Sequence, residues 1–169
     1  MSDEEIKIHR GLNNVYFDRT KTTYINGKEG VLEYRGYNIH DLAEKSSFEE
    51  VSYLLLYGKL PTKNELDAFN SSLKESREIP SQVIDIIKSI KDSHPMDVLR
   101  TAVSALSAFD EEASDKSYDA TMRKGIRLTS QVPTIVMAHN SIRNGKDPVD
   151  PSKELSHAAN FIYMLDGKI

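Results

Sequence analysis

The chain has 169 residues, with 38% hydrophobic and 28% charged side chains, the balance of one folded domain and too apolar for a disordered tail. Its 22 basic and 26 acidic residues leave a formal charge of −4, so it offers no net positive field to gather nucleic acid or an anionic membrane. With no cysteine, it holds no disulfide, thiolate metal site, thiol nucleophile or iron–sulfur cluster.

The start, Met1-Ser2-Asp3-Glu4-Glu5-Ile6, is acidic where a secretory leader is basic and then apolar. Glu5 to His9 reads as a short strand. Thr22-Thr23-Tyr24-Ile25 and Val31-Leu32-Glu33-Tyr34 are β-branched and aromatic runs separated by Asn26-Gly27-Lys28-Glu29-Gly30, which predicts a β-hairpin with a four- or five-residue loop. Gly27 and Gly30 could suggest a phosphate loop, but they open no helix, and a turn that needs glycine is the plainer reading. Residues 1–37 are therefore expected to form an N-terminal strand and hairpin region, with residues 38–169 a helical region.

Two capping boxes mark helix starts, Ser47-Phe48-Glu49-Glu50 and Thr62-Lys63-Asn64-Glu65. The first helix carries Val51, Leu54, Leu55 and Tyr57 and stops at Gly58, with Pro61 beyond it. The second places Leu66, Phe69 and Leu73 on one face. Val83, Ile84, Ile87 and Ile90 form the stripe of a third helix after Pro80. Pro95 opens a helix to about Phe109, with Val98, Leu99, Ala102, Ala105, Leu106 and Phe109 at spacings of three and four. The acidic connection Asp110 to Asp115 reads as a solvated loop.

The next helix spans about Tyr118 to Asn144 and ends at Gly145. Its centre, Ile126 to Ile142, is apolar on more than one face and is expected to be buried on more than one side, with a kink at Pro133. The longest nearly uncharged apolar stretch, Val132 to Ala138, is far short of the roughly 20 residues that cross a bilayer. A soluble, cytoplasmic protein is the expectation. Asp150-Pro151 is expected to cap a last helix with Leu155, Ala158, Ala159, Ile162 and Tyr163 on one face.

Chemistry is hard to find in these elements. The sequence has no G-x-S-x-G elbow, no G-x-x-x-x-G-K-[ST] loop, no G-x-G-x-x-G and no H-E-x-x-H. His9, His40, His94, His139 and His157 have no second histidine three or four residues away, so no helix presents a ready histidine pair for a metal. His94 is placed at a helix start, and His139 and His157 read as packed helical residues. Arg35 could grip a carboxylate in bidentate fashion, or pin its loop to neighbouring carbonyls or an internal Glu. Arg123, Lys124 and Arg127 could meet an anionic ligand, or balance the acidic loop before them. Small residues at Ala102, Ser104, Ala105 and Ala108 let a second helix approach closely, inside the fold or across a subunit boundary.

The run Gly27-Lys28-Glu29-Gly30-Val31-Leu32-Glu33-Tyr34-Arg35-Gly36-Tyr37-Asn38-Ile39-His40-Asp41-Leu42-Ala43 matches the order G-x-x-G-x-L-x-Y-R-G-Y-x-I-x-x-L-A. Phe48 to Val51, Leu54 to Thr62, His94 to Arg100 and Phe161 to Leu165 continue the match. On these motifs the chain resembles the N-terminal segment of citrate synthases of the short prokaryotic type, with 2-methylcitrate synthases as close relatives. The resemblance implies a mainly α fold: the helical part of a large domain with a small N-terminal β-hairpin.

For the full-length parent, the resemblance implies a cytoplasmic acyltransferase of the tricarboxylic acid cycle, condensing acetyl-CoA with oxaloacetate to give citrate and CoA. The close relatives would use propionyl-CoA. A carboxylate removes a proton from the acetyl methyl group, one histidine stabilises the enol, a second protonates the attacked carbonyl, and arginines hold substrate carboxylates. No cofactor is tightly bound, since acetyl-CoA is a co-substrate, and no metal is implied.

The family's histidine-rich segment and its later catalytic motifs have no counterpart in this chain. No catalytic residue is therefore assigned, and the segment alone is expected to be inactive and to supply scaffold and dimer helices. A homodimer is implied through helices near 95–109 and 118–144, with Ala102, Ala105, Ile126 and Val136 as candidate contacts. The alternative is a short, non-catalytic interaction or regulatory module built on the same fold.

Overall fold

The structure, a computed structural model, describes residues 10–12, 15–16 and 18–168. The strand expected over Glu5–His9 lies outside the described residues. β1 (Thr23–Asn26) and β2 (Val31–Tyr34) pair antiparallel, with Thr23 opposite Tyr34 and Asn26 opposite Val31. The four residues between them turn on Asn26, whose Oδ1 accepts the Lys28 N–H at 3.2 Å. Its Nδ2 donates to Glu29 Oε2 at 2.9 Å. Asparagine closes such turns because its short amide mimics a backbone step.

A third strand, β3 (Tyr37–Asn38), was not expected. It folds back on β2 with Tyr34 opposite Tyr37. The two-residue turn that makes this possible has φ of 52° at Arg35 and 85° at Gly36. Two consecutive positive φ values match the twist of a tight hairpin, but an arginine there bears the strain that glycine avoids.

Seven α-helices follow among the described residues: α1 (Ile39–Lys45), α2 (Phe48–Tyr57), α3 (Lys63–Glu75), α4 (Ser81–Ser89), α5 (Pro95–Leu106), α6 (Tyr118–Arg143) and α7 (His157–Asp166). Both capping boxes form, with Glu50 and Glu65 each accepting the N–H of its cap residue, at 2.7 and 2.8 Å. α2 ends on Gly58 in the left-handed conformation, as its sequence predicts. α5 tightens into a 3-10 turn over Ser107–Phe109, so the expected end is right but the last turn is not α. α6 runs through Pro133 as one 26-residue helix.

The last helix begins later than its sequence predicts. Asp150-Pro151 does not cap it; α7 starts at His157, capped by the Ser156 hydroxyl. The Ser152 backbone is engaged on both sides by side chains outside this segment. Asn160 Oδ1 accepts the Ser152 N–H at 2.7 Å, and the Arg77 guanidinium donates to the Ser152 carbonyl. Leu155 therefore does not belong to the helical stripe.

The main core joins α4, α5 and α6 through Val83, Ile87, Val98, Ala102, Leu106, Ile135, Ala138 and Ile142. A second cluster joins α2 and α3 through Tyr53, Phe69 and Leu73, with Leu56 and Ile126 packed against it. Tyr53 meets the edge of Phe69 at 5.4 Å and 88°. Of the four residues expected at a subunit contact, one lies wholly inside this core. Ala102 is fully buried against α4 and α6, Ala105 packs onto the same core, and Ile126 packs onto the second cluster. Ala105 and Ile126 are half-buried, and Val136 is exposed.

Candidate functional site

The centre of α6 is buried on more than one side, as its sequence predicts, against α3, α4, α5 and α7, and one side stays open. Leu128, Thr129, Val132 and Pro133 of α6 form the floor of a groove of about 610 Å³. Phe48 of α2 and His157, Ala158 and Phe161 of α7 form its walls. The lining is almost wholly carbon. A groove of this size in the middle of a protein's longest helix is a surface shaped for contact, since apolar area left in water is unfavourable in proportion to its extent.

A buried polar cluster lies behind the Phe48–His157 wall. His157 is the first residue of α7, and its backbone N–H donates to Glu49 Oε1 at 2.8 Å. Its ring stacks on Phe48, with centroids 4.4 Å apart and planes 12° from parallel. Burial pulls the imidazole below its ordinary pKa; Arg77 pushes the same way and Glu49 opposes both.

Arg77 is 1% exposed, donates to the Ser152 carbonyl, and accepts the Thr134 hydroxyl at its own carbonyl at 2.8 Å. Burial pulls its guanidinium below the usual arginine range, with Glu49 restoring part of the loss. Arg77 Nε, His157 Nδ1 and Asn70 Oδ1 are buried without a hydrogen-bond partner. Glu49, Asn70, Lys74, Arg77 and Ser156 line a cavity of about 140 Å³ there.

The residues singled out from sequence are mostly engaged in holding the fold. Arg35 Nη2 donates to the Leu55 carbonyl at 3.0 Å, so it pins the last turn of α2 instead of facing a ligand. His94 Nδ1 accepts the Met96 N–H at 3.2 Å and caps α5. His139 Nε2 lies 2.9 Å from the Lys91 carbonyl, which requires the Nε2–H tautomer. Among the described residues, no group of three or more His, Asp or Glu could hold a metal ion. Gly27 and Gly30 stay in the hairpin turn.

The acidic loop after α5 is clamped rather than freely solvated. Arg127 donates to both carboxylate oxygens of Asp110 at 2.8 Å and to Glu112 Oε2 at 2.9 Å. Arg123 donates to Glu112 Oε1, and Lys124 to the loop carbonyl of Glu112 at 3.1 Å. Arg123 and Arg127, in that order, hold the Glu112 carboxyl down at about 2, and Arg127 lowers Asp110. A lowered carboxyl pKa stabilises the fold above its ordinary value near 4.5 and ceases to do so as pH falls toward 2. Acid unfolding followed by circular dichroism between pH 5 and 2 is therefore steeper for the native chain than for Arg127→Ala. Equal slopes contradict the clamp.

The sequence signals for Glu49, Arg77 and Phe48 were weak. Arg77 owes its burial to partners 57 and 75 residues away, and no local pattern marks it.

Comparison with known proteins agrees with this architecture. The family described as citrate synthase, C-terminal domain, matches residues 11–169. A citrate synthase of Deinococcus radiodurans is 46% identical over 161 residues, which cover 95% of this chain and 43% of that protein. The crystal structure of citrate synthase from Pyrobaculum aerophilum superposes with a TM-score of 0.91 at 38% identity, covering 95% of this chain and 42% of that one.

A third structure is a citrate synthase from the archaeon Thermoplasma acidophilum in ternary complex with carboxymethyl coenzyme A and oxaloacetate. It superposes at 0.89 with 27% identity, over 96% of this chain and 43% of that one. The chain thus spans less than half the length of the relatives it matches.

Proposed function

The chain belongs to the citrate synthase family, and on that premise we propose that it is the scaffold portion of an enzyme that condenses acetyl-CoA with oxaloacetate to give citrate and CoA. The reacting groups belong to polypeptide beyond these residues. The relatives' names favour the acetyl thioester over the propionyl one.

One observation carries the reading. The middle of α6, which a self-sufficient domain would keep at its centre, is an open apolar groove of about 610 Å³. Buried there against further helices, it would complete the large domain. Leu128 on its floor is 39% exposed and belongs to one contiguous apolar patch with Val132, Pro133 and Phe161.

Assembly into a homodimer through α5 and α6 is part of the same proposal. Support comes from Thr101, Ser104 and Ala108, three small exposed residues along the outer face of α5 and its 3-10 extension, and from Val136 on α6. Small side chains let helix axes approach to the short end of about 8–10 Å. No described helix is long and apolar enough to cross a membrane. A cytoplasmic place belongs to the proposal, and a chain without cysteine suits a reducing compartment.

The experiment is co-expression with the portion of the Deinococcus radiodurans enzyme that this chain does not span. The two co-purify, and Leu128→Asp, which puts a carboxylate on the groove floor, reduces recovery of the complex at least tenfold while leaving the chain's own helicity unchanged. Undiminished co-purification of the variant, or none by the native chain, overturns the reading and favours a free-standing interaction module.

A further inference from the structure

We propose that the joint between the N-terminal ends of α2 and α7 is a pH-sensitive clasp, in which protonation of His157 loosens the first turn of α7 from α2 and opens the wall of the apolar groove. Two contacts make the joint. The His157 ring stacks on Phe48, and the His157 backbone N–H donates to the Glu49 carboxylate. Both contacts are available to a neutral imidazole. His157 is 7% exposed, and its Nδ1 is buried with no hydrogen-bond partner, so a proton placed on Nδ1 has neither water nor an acceptor to receive it.

The charges around the ring act in the same direction. α2 contributes Glu49, and the connection from α3 to α4 contributes Arg77. Lys74 of α3 borders the same small cavity, but its ammonium is turned to the Glu154 carbonyl at 3.1 Å. From α6, Leu128, Thr129, Val132 and Pro133 line the groove that His157 borders, and none of them titrates near neutral pH; Ala158, Ala159 and Asn160 of α7 are uncharged. The ring also sits at the N-terminal end of its own helix, where the peptide dipoles disfavour a cation.

Against these stand Glu49, already engaged by the His157 N–H, and the face of the stacked Phe48. Burial, Arg77 and the helix end outweigh them, which agrees with the downward direction of the imidazole's pKa.

The sign follows from linkage. A histidine whose folded pKa lies below its ordinary value near 6.5 takes up a proton more readily when released. The clasp is therefore tight above pH 6.5 and loosens as pH falls below it, by at most about tenfold in opening constant per pH unit.

The test follows two signals in the intact protein between pH 7.5 and 5: the His157 ring resonance by NMR, and amide-exchange protection in the first turn of α7, corrected for intrinsic exchange. The expected result is a midpoint below 6.5 with protection falling below that pH at Asn160 and Phe161, and not at Ile135 on α6. His157→Phe keeps a ring on Phe48 and removes the acid sensitivity of α7. A midpoint at or above 6.5, or α7 protection that ignores pH in the native protein, or one that still falls in His157→Phe, overturns the proposal.

Discussion

Replacing Ile135 with alanine lowers the unfolding free energy by about 2–5 kcal/mol, among the largest losses expected of a single aliphatic substitution. Ile135 is fully buried and packs between α4 and α5, among Val83, Ile87, Val98, Ala102 and Leu106. Three carbons are lost, each worth about 0.8 kcal/mol in transfer alone, and the cavity adds to that because helices packed on both sides cannot close it. Set against a total stability of about 5–15 kcal/mol, such a loss approaches unfolding. Ile135→Val removes one methyl and costs about 0.5–1.5 kcal/mol. Val136→Ala, one position along but on the outer face, stays within about 0.5 kcal/mol. Urea unfolding of the three variants gives this order; equal losses at positions 135 and 136 contradict the assignment of faces on α6.

Most of the fold was legible because most of its instructions are local. Ser47 with Glu50 and Thr62 with Glu65 specify helix starts within four residues, and Gly58 ends α2 by a conformation that other residues resist. The three-and-four spacing of Val98, Ala102 and Leu106 places a face on the core, and the structure buries that face. Where the reading failed, side-chain partners outside the motif or an unusual backbone angle had decided. Asp150-Pro151 is a good local helix start, yet the Ser152 backbone is taken by Asn160 and by Arg77, 75 residues away. β3 depends on a positive φ at Arg35, a residue type that does not announce a tight turn.

The site was less legible than the fold. Arg123, Lys124 and Arg127 were visible as a basic edge beside an acidic loop, and the plainer of their two readings holds: they clamp the loop. Arg35 likewise pins a neighbouring carbonyl. The groove could not be read from composition. An apolar stretch such as Val132 to Ala138 has the same pattern whether it is covered or open, and only the packing of α2 and α7 distinguishes the two. Ala102 illustrates the converse: its small size suggested a subunit contact, and its place is inside the core.

The second large effect concerns catalysis, and it is all or nothing. General acid–base condensation needs a base, an enol-stabilising donor and a carboxylate grip converging within hydrogen-bond reach of one substrate. Here His94 is spent as a cap, His139 on a backbone carbonyl and His157 in the α2–α7 joint. Asp41 and Asp97 pair with Lys45 and Arg100, and Asp110 with Arg127. The measurement is the release of free thiol from acetyl-CoA in the presence of oxaloacetate by the purified 169-residue chain. No release above the rate without protein is the predicted result. Release that rises in proportion to chain concentration contradicts the account, because it would place the reacting groups within this chain.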